Sequence, residues 1–171
     1  MPRNRSLPPQ EGSYQALDHA ANWVRFADTK ATVLTAALGV VMTMVVTNAP
    51  SIIKALASDE NVATRLGAIA VVAVAAFLFT LGWLVHAIAP RSGADGKLNR
   101  FSWPVLKSAD YAALAAHNAN VPAHEDAWKQ TIVLAGVADD KFRACRRAAG
   151  GFAVFVVSAV ICVVAAAFIN A

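Results

Sequence analysis

Asn22-Trp23-Val24-Arg25-Phe26-Ala27-Asp28-Thr29-Lys30-Ala31-Thr32-Val33-Leu34 is a charged, aromatic-bearing helical surface that runs without a break into an apolar segment. From 31 to 47 no residue is charged and Ala, Leu, Val and Met dominate. That length reaches the lower limit of about 17 residues for a helix crossing a hydrocarbon core. Trp23, Arg25, Phe26 and Lys30 then fall at the depth where aromatic rings and basic side chains favour the interface. Asp28 is the exception, because a carboxylate at the edge of a bilayer loses hydration unless a cation or polar neighbour compensates. Its position predicts a partner.

The same test applied outward finds two further windows, 66–89 and 148–169, each free of Asp, Glu, Lys and Arg. Hydrophobic residues fill 57% of the 171 positions and the mean hydropathy is +0.49, beyond a soluble domain of ordinary composition. An apolar segment alone in lipid must satisfy its own backbone hydrogen bonds, so each window reads as a helix. The fold class is therefore an all-α integral membrane protein with three transmembrane helices. A cleaved signal peptide is a poor reading of 31–47, because polar, helix-prone residues precede it and two windows follow it.

Charge sets the expected orientation. Arg3, Arg5, Arg25 and Lys30 precede the first span and nine Lys or Arg lie between the second and third, against only Lys54 and Arg65 between the first and second. By the positive-inside rule the N-terminus and the 90–147 region are cytoplasmic and the 48–65 connection lies outside.

Residues 1–12, with Pro2, Pro8, Pro9 and Gly12, read as a mobile tail. Ser13 is expected to cap a cytosolic helix, 13–30, whose apolar residues Leu17, Ala20, Ala21, Val24 and Ala27 recur every three or four positions. It continues as transmembrane helix 31–47, the two together spanning roughly 50 Å at about 1.5 Å per residue. Asn48-Ala49-Pro50 ends it, and the outer connection 48–65 has room for one or two helical turns. Transmembrane helix 66–89 closes with Trp83 and His86, and 90–97 is a loop by composition. Ser108 is expected to cap a short helix through His117 that 118–122 breaks. Pro122 then opens a second amphipathic helix, with Glu125 and Asp126 where the dipole favours acids. That helix passes directly into transmembrane helix 148–169, with Gly150-Gly151 as a bend or a close-packing point. The cytosolic extensions of the first and third helices would bury each other's apolar stripes, making the 90–147 region part of a small helical bundle.

Arg25, Asp28 and Lys30 lie just before the first span, and Asp139, Asp140, Lys141, Arg143, Arg146 and Arg147 just before the third. Such a collar of charge serves interhelix ion pairs, anionic lipid head groups, or capture of an anionic ligand. In Asn99-Arg100-Phe101-Ser102-Trp103-Pro104, basic and aromatic residues interleave, which suits either a stacked nucleobase with a bound phosphate or anchoring to the membrane surface. Cys145 and Cys162, 17 positions apart, give no disulfide framework, and Cys145 reads as a thiolate among arginines or as a small residue on a packed face. His117, His124 and Glu125 lack a metal-ligand spacing, and no phosphate loop or nucleophile motif occurs, so neither a metal, a cofactor nor an enzymatic activity is expected.

The run Ala20-Ala21-Asn22-Trp23-Val24-Arg25-Phe26-Ala27-Asp28-Thr29-Lys30-Ala31, entering the first span directly, resembles the opening signature of the transmembrane effectors of the Pycsar antiphage system. The stretch Ala138-Asp139-Asp140-Lys141-Phe142-Arg143 and the compact layout are similar too. The resemblance implies a dormant multi-pass protein of the bacterial inner membrane, functionally linked to a pyrimidine cyclase. A cyclic pyrimidine nucleotide, cCMP or cUMP, would activate it to impair the bilayer and abort infection. A β-barrel cyclic-nucleotide cassette does not fit the 90–147 region, so the ligand site would be helical, in a homo-oligomer. On that reading Arg25, Lys30, Lys141 and Arg143 contact the phosphate and Phe26, Phe142 or Trp103 stacks the base. Asp28 would pair with Lys141 or Arg146 in the resting state. No nucleic-acid partner is implied. The competing expectations are a constitutive membrane anchor or scaffold and a holin-like permeabiliser, and the few polar residues in the spans favour bilayer disruption or a hydrophobic constriction over a selective channel.

Overall fold

A computed structural model describes residues 10–58, 60–90 and 97–170. The predicted tail before residue 10 and the loop at 91–96 lie outside the described residues. Every element among the described residues is a helix: α1 (Ser13–Thr47), α2 (Ala49–Leu56), α3 (Glu60–Ile88), α4 (Trp103–Leu106), α5 (Tyr111–Asn120) and α6 (Ala123–Asn170). Helices α1, α3 and α6 are each long and apolar enough to cross a membrane. The chain divides into two compact units, Met1–Ala27 with Pro90–Lys141, and Asp28–Ala89 with Phe142–Ala171.

The second unit contains all three apolar windows. Its larger core gathers Ala31, Leu38, Ala76, Leu84, Ala144, Ala148, Phe155 and Ala159, with Leu34, Val41 and Phe77 packed against it. A smaller cluster joins Ala55, Leu66, Cys162 and Ala166. Alanine predominates because helices in lipid gain from close backbone approach rather than from hiding apolar surface from water. The outward face carries Val33, Val40, Val71, Val74, Leu78, Val157 and Phe168, all exposed. An apolar exterior of this extent is suited to lipid as the solvent.

Hydroxyls in these helices bond to their own helix. Thr35 donates to the Ala31 carbonyl at 2.8 Å, Thr43 to Gly39 at 3.0 Å, Thr80 to Ala76 at 2.7 Å and Ser158 to Val154 at 2.8 Å. Each polar group is thus satisfied without water or a partner helix. At Gly151 the approach of α6 to α3 is so close that a Cβ there would lie 2.6 Å from Thr80 Oγ1 and 2.7 Å from Phe79 Cδ1. A Cβ on Gly150 would meet open space, and α6 continues through both positions, so Gly151 is a packing glycine. The connection between α1 and α3 holds the two-turn α2, and Asn170 Nδ2 donates to the Ser51 carbonyl at 2.9 Å, tying the end of α6 to its first turn.

The first unit consists of the opening of α1, the short helices α4 and α5, and the opening of α6. Ala20, Ala27, Ala127 and Ala138 are buried in it. Two expected caps need correction. The Ser13 hydroxyl donates back to the Gln10 carbonyl at 3.0 Å instead of accepting from a free amide of α1. Helix α5 is capped by Asp110, whose carboxylate accepts from the amides of Ala112 at 3.1 Å and Ala113 at 3.4 Å. Ser108 lies too early for that role, and its hydroxyl donates to Val105 at the end of α4.

Candidate functional site

Of the residues expected to meet a ligand, Lys30 and Phe142 come together within the second unit. The Lys30 ammonium stands 5.0 Å from the centroid of the Phe142 ring, a cation–π contact between α1 and α6. Arg143, next to Phe142, and Arg146, one turn further along α6, are exposed, and Asp28 is half-buried. Next to Arg146, the Arg147 guanidinium lies 4.4 Å from the Trp83 ring centroid, and His86 stands edge-on to the same ring at 5.5 Å. This end of the unit therefore presents cations held against aromatic faces.

The remaining expected residues belong to the first unit. Arg25 is exposed, and Phe26 and Trp103 are 62% and 67% exposed. Lys141 is only 5% exposed, a rare placement for an ammonium group. Phe101 and Trp103, grouped by sequence, have separate surroundings. Phe101 packs edge-to-face with Tyr14 at 6.1 Å, which fastens the 97–102 segment to the start of α1, whereas Trp103 projects from α4.

A polar constellation in the first unit centres on Asp126, an acid in the first turn of α6. Its side chain is fully buried. Oδ2 accepts from Arg100 Nε at 2.9 Å and from His117 Nε2 at 2.8 Å. Arg100 also donates through Nη2 to the Val121 carbonyl at 2.6 Å, and Asn99 Nδ2 donates to the Asp126 carbonyl at 3.0 Å. Three stretches of chain, 97–102, the end of α5 and the start of α6, are thereby held on one carboxylate.

Burial pushes the Asp126 carboxyl up, but the hydrogen bonds from His117 and Arg100 together with the His117 charge outweigh that and hold it below its ordinary 3.8. The imidazole and the guanidinium on this carboxylate tie three segments together, which suits holding better than reacting. No sequence signal could have assembled it, since Arg100 and His117 stand 26 and 9 positions from Asp126. Among the described residues no group of His, Cys, Asp or Glu is arranged to hold a metal ion.

No curated protein and no solved structure matches the chain. The signature around Arg25–Lys30, the three apolar helices and the helical extensions of α1 and α6 nonetheless belong to one pattern. A family model described as the Pycsar effector protein domain matches residues 13–170, and the chain belongs to that family.

Proposed function

We propose that this protein is an antiphage effector that a cyclic pyrimidine nucleotide, cCMP or cUMP, converts from a dormant membrane protein into one that impairs the inner membrane and aborts infection. The observation that carries the reading is the family match over residues 13–170, whose effector role gives the apolar helices an output. A partner cyclase supplies the messenger, and the excess of Lys and Arg before the first span and between the second and third supports an N-terminus in the cytoplasm with it. The chain itself catalyses no reaction in this reading.

Lys30, Phe142 and Arg143 are the contacts we assign to the messenger. A pyrimidine ring displaces the Lys30 ammonium from the Phe142 face, freeing that cation to join Arg143 at the cyclic phosphate. The hydroxyls of the spans, already bonded along their own helices, leave little polar lining for a water-filled channel. Bilayer disruption by a homo-oligomer, or a gated apolar constriction, therefore fits the output better than a selective pore.

The test is membrane depolarisation in cells expressing the protein with either an active or a catalytically dead pyrimidine cyclase. Depolarisation only with the active cyclase is the expected result. Depolarisation with both would replace this reading with a holin-like permeabiliser. Silence with both, given verified insertion and measured messenger, would replace it with a constitutive scaffold.

A further inference from the structure

On the last turns of α3 a groove of about 390 Å³ is lined by Leu78, Phe79, Gly82, Trp83 and His86. It lies wholly within the second unit, and its lining changes character along its length. Leu78 and Phe79, both exposed, form the apolar end. Toward the end of the helix the lining becomes Trp83 and His86, and there Arg147 of α6 spreads its guanidinium over the Trp83 ring at 4.4 Å. The arrangement follows from the crossing at Gly151, where α6 meets Phe79 and Thr80. One turn earlier on α6 is Arg147, and one turn later on α3 is Trp83, so the antiparallel helices bring this pair together.

We propose that this groove binds an anionic phospholipid, with part of an acyl chain against Leu78 and Phe79 and the phosphodiester at Arg147. Charge complementarity and depth select this occupant. Lys30, Arg143, Arg146 and Arg147 outnumber Asp28 among the described residues at this end of the unit. Each basic residue near an anionic membrane surface adds roughly 1 kcal/mol of attraction. A guanidinium lying on an indole face keeps its N–H edge directed outward, where two parallel hydrogen bonds to a phosphate are available. The indole and imidazole stand at the level where an apolar floor gives way to head groups. A nucleotide would lay a hydrated ribose on Leu78 and Phe79, whereas an acyl chain costs nothing there. The inference does not depend on the messenger reading, and its test contains no messenger.

The experiment is native mass spectrometry of the full-length protein released from micelles doped equally with phosphatidylglycerol and phosphatidylcholine. Retention of phosphatidylglycerol should exceed that of phosphatidylcholine about fivefold, the ratio equivalent to one cationic contact. Arg147→Gln should abolish the preference, Arg147→Lys should keep most of it, and Arg65→Gln, the same charge change on the opening turns of α3, should leave it intact. An excess of glycerol 3-phosphate should not displace the lipid. Equal retention of the two lipids, an unchanged preference in Arg147→Gln, or displacement by the soluble phosphate would each overturn the proposal. A second measurement leaves Arg147 in place. With Trp23, Trp103 and Trp128 replaced by Phe, chain-brominated phosphatidylglycerol should quench Trp83 fluorescence more than brominated phosphatidylcholine, and equal quenching would count against the site.

Discussion

The two units of this chain are closed by opposite means. The second buries alanines against one another, exposes its large aliphatic side chains, and bonds its hydroxyls along its own helices. The first buries a carboxylate, holds its Oδ2 from two neighbouring segments while Oδ1 has no hydrogen-bond partner, and turns aromatic rings outward at Tyr14, Trp23, Phe26, Trp103 and Tyr111. Where lipid is the solvent, apolar side chains gain little by hiding, so cohesion rests on close approach. Where water is the solvent, a small unit with few buried side chains can gain definition from a charge-assisted polar contact.

The sharpest way to break the contrast is Asp126→Ala, which leaves the Arg100 guanidinium and His117 imidazole without their shared acceptor. Removing one side of a buried ion pair costs about 3–5 kcal/mol. Hydrogen exchange should show protection lost across α5 and the 97–102 segment, with α3 unchanged. Equal loss in both units would mean that they do not fold as distinct bodies.

The counterpart in the second unit is Gly151→Leu, which drives a side chain into Thr80 and Phe79. Overpacking of this kind costs about 1–3 kcal/mol. The melting temperature in detergent should fall, while Gly150→Ala, where nothing lies within 4 Å, should be neutral or slightly stabilising. A harmless Gly151→Leu would show that the α3–α6 crossing is not close-packed.

Acid offers a gentler form of the first experiment, since a protonated Asp126 still accepts a hydrogen bond. Its carboxyl titrates lower in the folded protein than its ordinary 3.8, so its contribution to stability is fully present above that value. The contribution disappears as pH falls through the lower folded-state value. The first unit should therefore lose protection in this acid range, and Asp126→Asn should remove that dependence. A pH-independent first unit would remove the carboxylate from the account.

The smallest structural effect is expected from Phe142→Leu. A cation–π contact at an exposed lysine contributes about 0.5–1 kcal/mol, so detergent melting should move little. Messenger-dependent depolarisation should nevertheless fall strongly if the Phe142 face receives the base. A full response would relocate the ligand away from this pair.

The contrast also separates what a sequence displays from what it conceals. The apolar windows at 31–47 and 148–169 each reside in a single helix, the window at 66–89 lies in α3 except for its last residue, and the passage of α1 and α6 from polar to apolar stretches follows directly from composition along the chain. Contacts that depend on two distant segments were hidden. Asp126 displays its helix-dipole preference in sequence, whereas Arg100 and His117 reach it only after the chain has turned twice. Lys30 and Phe142 were both singled out, on either side of the collar, yet their stacking depends on the rotation of two helices about their axes. The exchange of Ser108 for Asp110 as a cap had a local cause. The carboxylate lies two and three residues before the amides it receives, and the earlier hydroxyl is engaged on α4.

The alanine-lined core constrains how this sequence can drift. Ala31, Ala148 and Ala166 are completely buried against neighbours, and Ala144 and Ala159 nearly so. Such a position has almost no room on either side: glycine loosens the helix and anything larger separates it from its neighbour. The outward valines at 40, 71, 74 and 157 touch only fluid hydrocarbon in the lipid setting and can exchange freely with leucine or isoleucine. Descendants of this gene should thus keep their smallest residues and shuffle their larger ones, so that the record of this fold survives chiefly in its alanines.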